Sequence, residues 1–254
     1  MKALMLVQYV VTAAIRDKLI ISIFLLLIMA VSLSIFMGSA ATTERDQFAA
    51  VFSAGSIRIL NAAGLILFIV FFIRRSFETR DIEFMLSRPV GRLTLVMSYA
   101  AGFSIIAVLL GVTSGLCVYA LSPHLFSEGH ILWTISLIAE NIIIANAALF
   151  FSMVLTSAAS GAFATLGFYV LARMMSQILG IIDSGKGIME IKFLEQIMQL
   201  ISALMPRLDL MAQTSWLIYG KEDQIGYLFV VSQCVIYSGV ILLAALIDMR
   251  RRQF

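Results

Sequence analysis

Six stretches of the chain are long and apolar enough to cross a lipid bilayer, and they limit its fold more than any other feature. They are residues 19–38, 48–73, 93–121, 131–156, 161–182 and 225–247. A helix needs about 20 mostly apolar residues to span about 30 Å of hydrocarbon. The runs are continuously apolar rather than alternating. Each therefore reads as a helix that satisfies its own backbone hydrogen bonds, not as a barrel strand. Pro89, Pro123 and Pro206 all fall between the runs, where a missing N–H disturbs least. Composition points the same way. Of 254 residues, 61% are hydrophobic and 13% charged, against about 45–50% and about 25% in soluble domains. The expected fold is an all-α polytopic membrane protein, a single transmembrane domain over residues 1–254.

Orientation follows from basic residues, which collect on the cytoplasmic side. With a cytoplasmic N-terminus, eleven basic and five acidic residues fall inside, and six basic and nine acidic outside. Both termini are therefore expected in the cytoplasm. The net charge of +3 is this asymmetry in sum, not a footprint for nucleic acid. Ser39-Ala40-Ala41 resembles a signal-peptidase site, but 18 residues precede the first apolar run. Its flank Arg16-Asp17-Lys18 fits a retained anchor. The two cysteines, Cys117 and Cys234, lie in apolar runs and support neither a disulfide framework nor a four-cysteine zinc site.

The connections carry the remaining pattern. In residues 1–18, Lys2, Gln8, Thr12 and Arg16 recur at four to six residue steps among apolar ones, as in a helix lying on the inner membrane surface. Residues 76–92 are dense in both signs of charge yet keep Phe77, Ile82, Phe84, Met85 and Leu86. Ser76 can cap a short amphipathic helix there, and Pro89 stops it. A solvated loop with an interfacial face fits equally. Residues 156–161 form a turn of small uncharged residues. Residues 183–224 form the longest outside connection. Leu194, Ile197, Met198, Ile201, Leu204 and Met205 recur there at helical steps before Pro206, and Trp216 and Tyr219 suit the lipid interface. The segment is expected to dip into the outer leaflet or cap the exit of a pathway.

Catalytic signatures are absent. The chain has no phosphate-binding Gly-x-x-x-x-Gly-Lys-Ser/Thr, no His-Glu-x-x-His and no Gly-x-Ser-x-Gly, so neither a catalytic residue nor an ATP site is assigned. His124 and His130 share one outside loop with Glu128, too few ligands for a metal assignment. Fourteen methionines read as packing residues before copper ligands. Gly111 and Gly115 form a Gly-x-x-x-Gly that permits close helix contact.

Two charges stand deep in the runs. Glu140 and Arg173 each lie about nine residues from the outer end of their span, roughly 14 Å deep at 1.5 Å per residue. Opposite charges at matching depth on sequential helices are expected to pair, with Asn141 and Asn146 nearby, because each alone is unfavourable in lipid. The pair reads first as a lock on the fold and second as part of a substrate site.

The run Glu78, Ile82, Phe84-Met85-Leu86-Ser87-Arg88-Pro89-Val90 and Arg92 resembles the cytoplasmic signature of ABC exporter permeases of the second class (ABC-2 type). Those proteins carry a Glu followed by a Leu-Leu-Ser-Arg-Pro-Val-Ser-Arg-like run after their second span. The layout along the whole chain is also similar: a surface helix, six spans and a re-entrant outside segment before the last. The family's frequent Gly-Thr pair here reads Arg80-Asp81, and its later Ser is Gly91.

The resemblance implies a permease of an ATP-driven transporter, with no enzymatic step and no cofactor of its own. ATP and Mg would sit in a separate ATPase subunit, present in two copies. A second permease copy would complete an interfacial pathway, in contact with membrane lipid, and such systems admit an external accessory protein. Phe77, Glu78, Arg80, Asp81, Ile82, Glu83, Met85, Leu86, Arg88, Pro89 and Arg92 would form the ATPase-coupling helix. The implied location is the bacterial cytoplasmic (inner) membrane. Relatives of this kind include permeases of copper-enzyme maturation and others for lipids, peptides or antibiotics, and no residue selects among them. Two other classes stay open: a secondary transporter, although no internal repeat is evident, and a membrane scaffold that uses residues 76–92 for docking.

Overall fold

The computed structural model describes residues 2–16, 18–40, 45–79, 91–185, 200–221 and 225–251. They form α-helices joined by short turns, and no strand occurs among the described residues. The helices are α1 (Lys2–Arg16), α2 (Leu19–Ala40), α3 (Arg45–Glu78), α4 (Arg92–Leu121), α5 (Glu128–Val154), α6 (Ala158–Arg173), α7 (Met175–Gly185), α8 (Trp216–Tyr219) and α9 (Tyr227–Arg251). Five of these, α2, α3, α4, α5 and α9, are long and apolar enough to cross a membrane. The described residues are thus those of a helical, polytopic membrane protein.

Helix α5 is the centre of the bundle. In its most apolar window 72% of residues are buried, against 28% in α2 and 11% in α9. It packs against α3, α4, α6, α8 and α9. Helix α9 leaves Leu228, Val235 and Leu243 on its outer face, and apolar side chains there suit lipid. Gly111 and Gly115 of α4 face α5. A Cβ at Gly111 would stand 2.5 Å from the Ile138 side chain, and one at Gly115 2.5 Å from Thr134. The small-residue motif therefore serves a contact within the chain.

The amphipathic α1 buries Val10 and Ala14 and exposes Gln8, Thr12 and Arg16. Lys18 then turns with φ of 53°, and α2 begins. Val10 sits where a Cβ on Gly102 of α4 would stand only 2.8 Å from its side chain. Beside it, Phe72 of α3 meets Tyr99 and Phe103 of α4 edge-on, with ring centroids 6.1 and 5.7 Å apart. Such contacts contribute about 0.5–1.5 kcal/mol beyond area burial.

Polar contacts show which helix ends share a face. Asp46 at the start of α3 bonds His124 at 3.2 Å, and its carbonyl accepts from the Ser122 hydroxyl just past α4. At the opposite face, Arg74 donates to the Leu155 carbonyl after α5 (3.1 Å), and Arg92 donates to the Met249 and Arg250 carbonyls at the end of α9 (3.3 Å each). These guanidiniums satisfy carbonyls that a helix end leaves without an intrahelical partner.

Three expectations change. The run 161–182 is not one helix: α6 ends at Arg173 and α7 begins at Met175. At 16 residues, α6 reaches about 24 Å, short of the hydrocarbon thickness. Ser76 caps nothing, since α3 continues through it to Glu78 and its hydroxyl donates back to the Phe72 carbonyl at 2.9 Å. Trp216 is fully buried against the bundle, while Tyr219 is 85% exposed. Packing against α5 takes Trp216 out of the lipid interface. The expected outside helix over 194–205 falls partly outside the described residues, and 200–204 are helical.

Candidate functional site

The site is built from three helices and one irregular segment. Glu140 projects from the middle of α5 and is fully buried. Arg173 is the last residue of α6, where helical bonding ends at Met174. Its Nη1 lies 3.5 Å from Glu140 Oε2. The same guanidinium donates to the Leu208 carbonyl and to the Met211 carbonyl, the latter at 2.7 Å. Arg58, from the first half of α3, donates to the Ala212 carbonyl at 2.8 Å. Tyr169, one turn before Arg173, turns its hydroxyl toward Glu140 and Arg58.

The segment held by these arginines belongs to the connection between α7 and α9. Leu208–Leu210 form a 3-10 turn, and Leu208, Met211 and Ala212 are fully buried. Ala212 has φ of 47°, a left-handed conformation unfavourable for a residue with a Cβ. That turn presents its carbonyl to Arg58. Arg207 grips Asp209 at 3.0 Å, and Asp209 also accepts from the Ser176 hydroxyl of α7. A fourth close approach comes at Gly129 on α5, where a Cβ would run into the Trp216 carbonyl. The segment is thus seated in the bundle, with backbone carbonyls taking much of the place of water around two half-buried guanidiniums. In a low-dielectric interior such charge-assisted bonds are strong.

The cluster holds two guanidiniums and one carboxylate, so carbonyl dipoles balance the surplus positive charge. Along α5 the polar line continues. Asn141 is 1% exposed, and neither its Oδ1 nor its Nδ2 has a hydrogen-bond partner among the described residues. Asn146 donates only to the Ile142 carbonyl of its own helix. Nearer the face that holds Asp46 and Ser122, Asn61 of α3 donates to Ser114 of α4 at 2.8 Å. Burying an amide with no partner is unfavourable by about 1–3 kcal/mol, which makes Asn141 a candidate contact for something that passes or binds.

Glu140 and Arg173 are brought together. Sequence reasoning missed Arg58, which the charge count placed with the outer residues. The available signal was a guanidinium well inside the run 48–73. The carbonyl partners had no sequence signal at all. His124 and His130 diverge: His124 turns to Asp46, and His130 Nε2 bonds the Gly115 carbonyl at 3.1 Å.

At the opposite face, three of the eleven coupling residues are described. Phe77 packs on the core with the Arg74 guanidinium 6.0 Å from its ring centre. Glu78 ends α3 in an exposed position, and Arg92 opens α4 on the α9 carbonyls. Arg80, Asp81, Ile82, Glu83, Met85, Leu86, Arg88 and Pro89 lie outside the described residues. No family model matches the chain, and no curated protein matches it.

Proposed function

We propose that the chain is the membrane-spanning permease subunit of an ATP-driven exporter, working as a pair of copies with a separate ATPase in the bacterial cytoplasmic membrane. The observation that carries this reading is the charged, apolar-studded run at 78–92 and its likeness to the ABC-2 signature. Its setting supports the role. At 34 residues α3 is about 51 Å long, well beyond the hydrocarbon thickness. It delivers Glu78 on the same face as Arg74, Arg92 and the end of α9. Both flanks of the run are fixed to the bundle, by Phe77 packing and by the Arg92 bonds, so a push on the run reaches α3 and α4 directly.

The test is co-purification with a candidate ABC ATPase expressed together with this chain. Replacing residues 80–88 by a Gly-Ser segment of equal length is expected to abolish association and leave the bundle monodisperse. Unchanged association would remove the coupling assignment.

A secondary transporter is the second reading, favoured by the break at Met174 beside a buried ion pair. Interrupted helices with charge at membrane depth mark binding sites in such proteins. Uptake into ATP-free vesicles driven by an ion gradient would decide for it.

A further inference from the structure

Away from the buried cluster, a cavity of about 410 Å³ opens between α1 and the end of α3. Tyr9, Thr12 and Arg16 line it from α1, Phe72 and Arg75 from α3, and Thr79 from the turn that directly continues α3. In each set these residues stand at i, i+3 and i+7, which places them on one face. The two faces oppose each other. Their rings meet where Tyr9 and Phe72 stand 6.3 Å apart. Phe72 is buried, whereas Arg16, Arg75, Thr12 and Thr79 are exposed. The cavity therefore has an apolar floor under a rim of two guanidiniums and two threonine hydroxyls.

We infer that this cavity binds the phosphate headgroup of an anionic phospholipid from the leaflet on the base-rich side. Guanidinium groups match phosphate oxygens in bidentate geometry, and the Thr12 hydroxyl can donate to a remaining one, while the Thr79 hydroxyl donates to the Arg75 carbonyl at 2.9 Å. The surroundings select a lipid over a soluble phosphate. Helix α1 lies along the bundle with Val10 and Ala14 inward. Met5, one turn before Tyr9 on the same face, is 59% exposed, and Phe71 beside Phe72 is 54% exposed. Acyl chains would lie along these apolar surfaces while the phosphate stays at the rim. Tyr9, Arg75 and Thr79 engage other groups of the chain as well, so the phosphate joins an existing polar shell. Anionic lipids are attracted to basic groups at a membrane surface, and two such groups amount to tenfold or more in binding.

Native mass spectrometry of the full chain in neutral detergent tests the assignment, with phosphatidylglycerol, phosphatidylcholine and inorganic phosphate as probes. Phosphatidylglycerol is expected to be retained at least tenfold better than phosphatidylcholine. The Arg16→Gln/Arg75→Gln double variant is expected to abolish that preference. The Arg250→Gln/Arg251→Gln variant removes equal charge elsewhere and is expected to keep it. If the arginine variant does not purify as a monodisperse peak, Thr12→Leu serves instead, with a several-fold loss expected. Equal retention of the two lipids would overturn the proposal, as would a preference untouched by the cavity variants. Displacement of phosphatidylglycerol by millimolar inorganic phosphate would overturn the lipid assignment in favour of a soluble ligand.

Discussion

Arg173 makes more contacts than a simple ion pair requires. It meets Glu140 at 3.5 Å and the carbonyls of Leu208 and Met211 more closely. The carbonyls, not the carboxylate, are then its tighter partners. This bears on the usual test of a buried pair, exchange of the two charges. In the Glu140→Arg/Arg173→Glu variant a carboxylate would face the carbonyls of Leu208 and Met211, acceptor against acceptor. The exchange is therefore expected to rescue nothing, even though the two residues do touch. Arg173→Ala is expected to lose about 3 kcal/mol or more, the range for breaking a buried pair by removing one partner. Arg173→Lys, which keeps the charge but not the planar fork, is expected to fall between wild type and Arg173→Ala. Thermal unfolding in detergent, followed through tryptophan emission, reads all three. Recovery of stability in the exchanged variant would show that the carbonyl contacts contribute little. Trp133 and Trp216 are the chain's two tryptophans, both buried, and Trp216 belongs to the held segment, so the probe senses that segment leaving the bundle.

Among the elements, α4 and α5 are in closest contact, and the glycines of α4 make that possible. Valine in place of Gly111 is expected to push α5 outward at Ile138, where even the backbone Cα would be 3.1 Å from the added Cβ. Overpacking of this kind is unfavourable by about 1–3 kcal/mol. Gly167 on α6 has nothing within 4 Å of an added Cβ, so Gly167→Val is the control and is expected to stay near wild type. The measurement is unfolding in a denaturing detergent mixture. Equal behaviour of the two variants would sink the packing argument. The contrast also shows what was legible. Helices α2 to α5 and α9 follow from apolar runs, because burying or lipid-facing a whole side is a property of many residues together. The break at Met174 was not legible. Neither proline nor glycine stands at 173–175, so no local backbone preference announces it. The helix ends where Arg173 finds carbonyls on a segment some 35 residues later, a tertiary cause. Arg58 was hidden for a related reason. Depth within an apolar run can be counted, but which face a residue shares with another helix depends on packing. The Ser76 cap failed because its hydroxyl has an alternative acceptor, the Phe72 carbonyl one turn back, and the apolar packing of α3 continues to Phe77.

For the whole molecule, contacts between helix ends sort the chain into two faces without reference to a membrane. Asp46, Ser122 and His124 lie at one face, and Arg74, Leu155, Arg92 and Arg250 at the other. Helix α6 starts at the second face, beside Leu155, and ends level with Arg58 and the segment at 208–212, most of the way to the first. The α6–α7 pair must then finish the crossing if α9 is to start at the first face and return to Arg92 at the second. Arg74, Arg75, Arg92, Arg250 and Arg251 all belong to the second face, so the positive-inside rule gives the expectation that this face is the cytoplasmic one. Single cysteines placed in a background lacking Cys117 and Cys234 test this arrangement. Ser157→Cys stands in the turn before α6, and Tyr219→Cys stands in α8; both positions are exposed. A membrane-impermeant maleimide added to right-side-out vesicles is expected to label position 219 and spare 157, and inverted vesicles are expected to reverse the result. Labelling of both from one side would mean that α6 and α7 turn back inside the bilayer. The termini would then lie on opposite sides, and the run at 78–92 could no longer share a compartment with both chain ends.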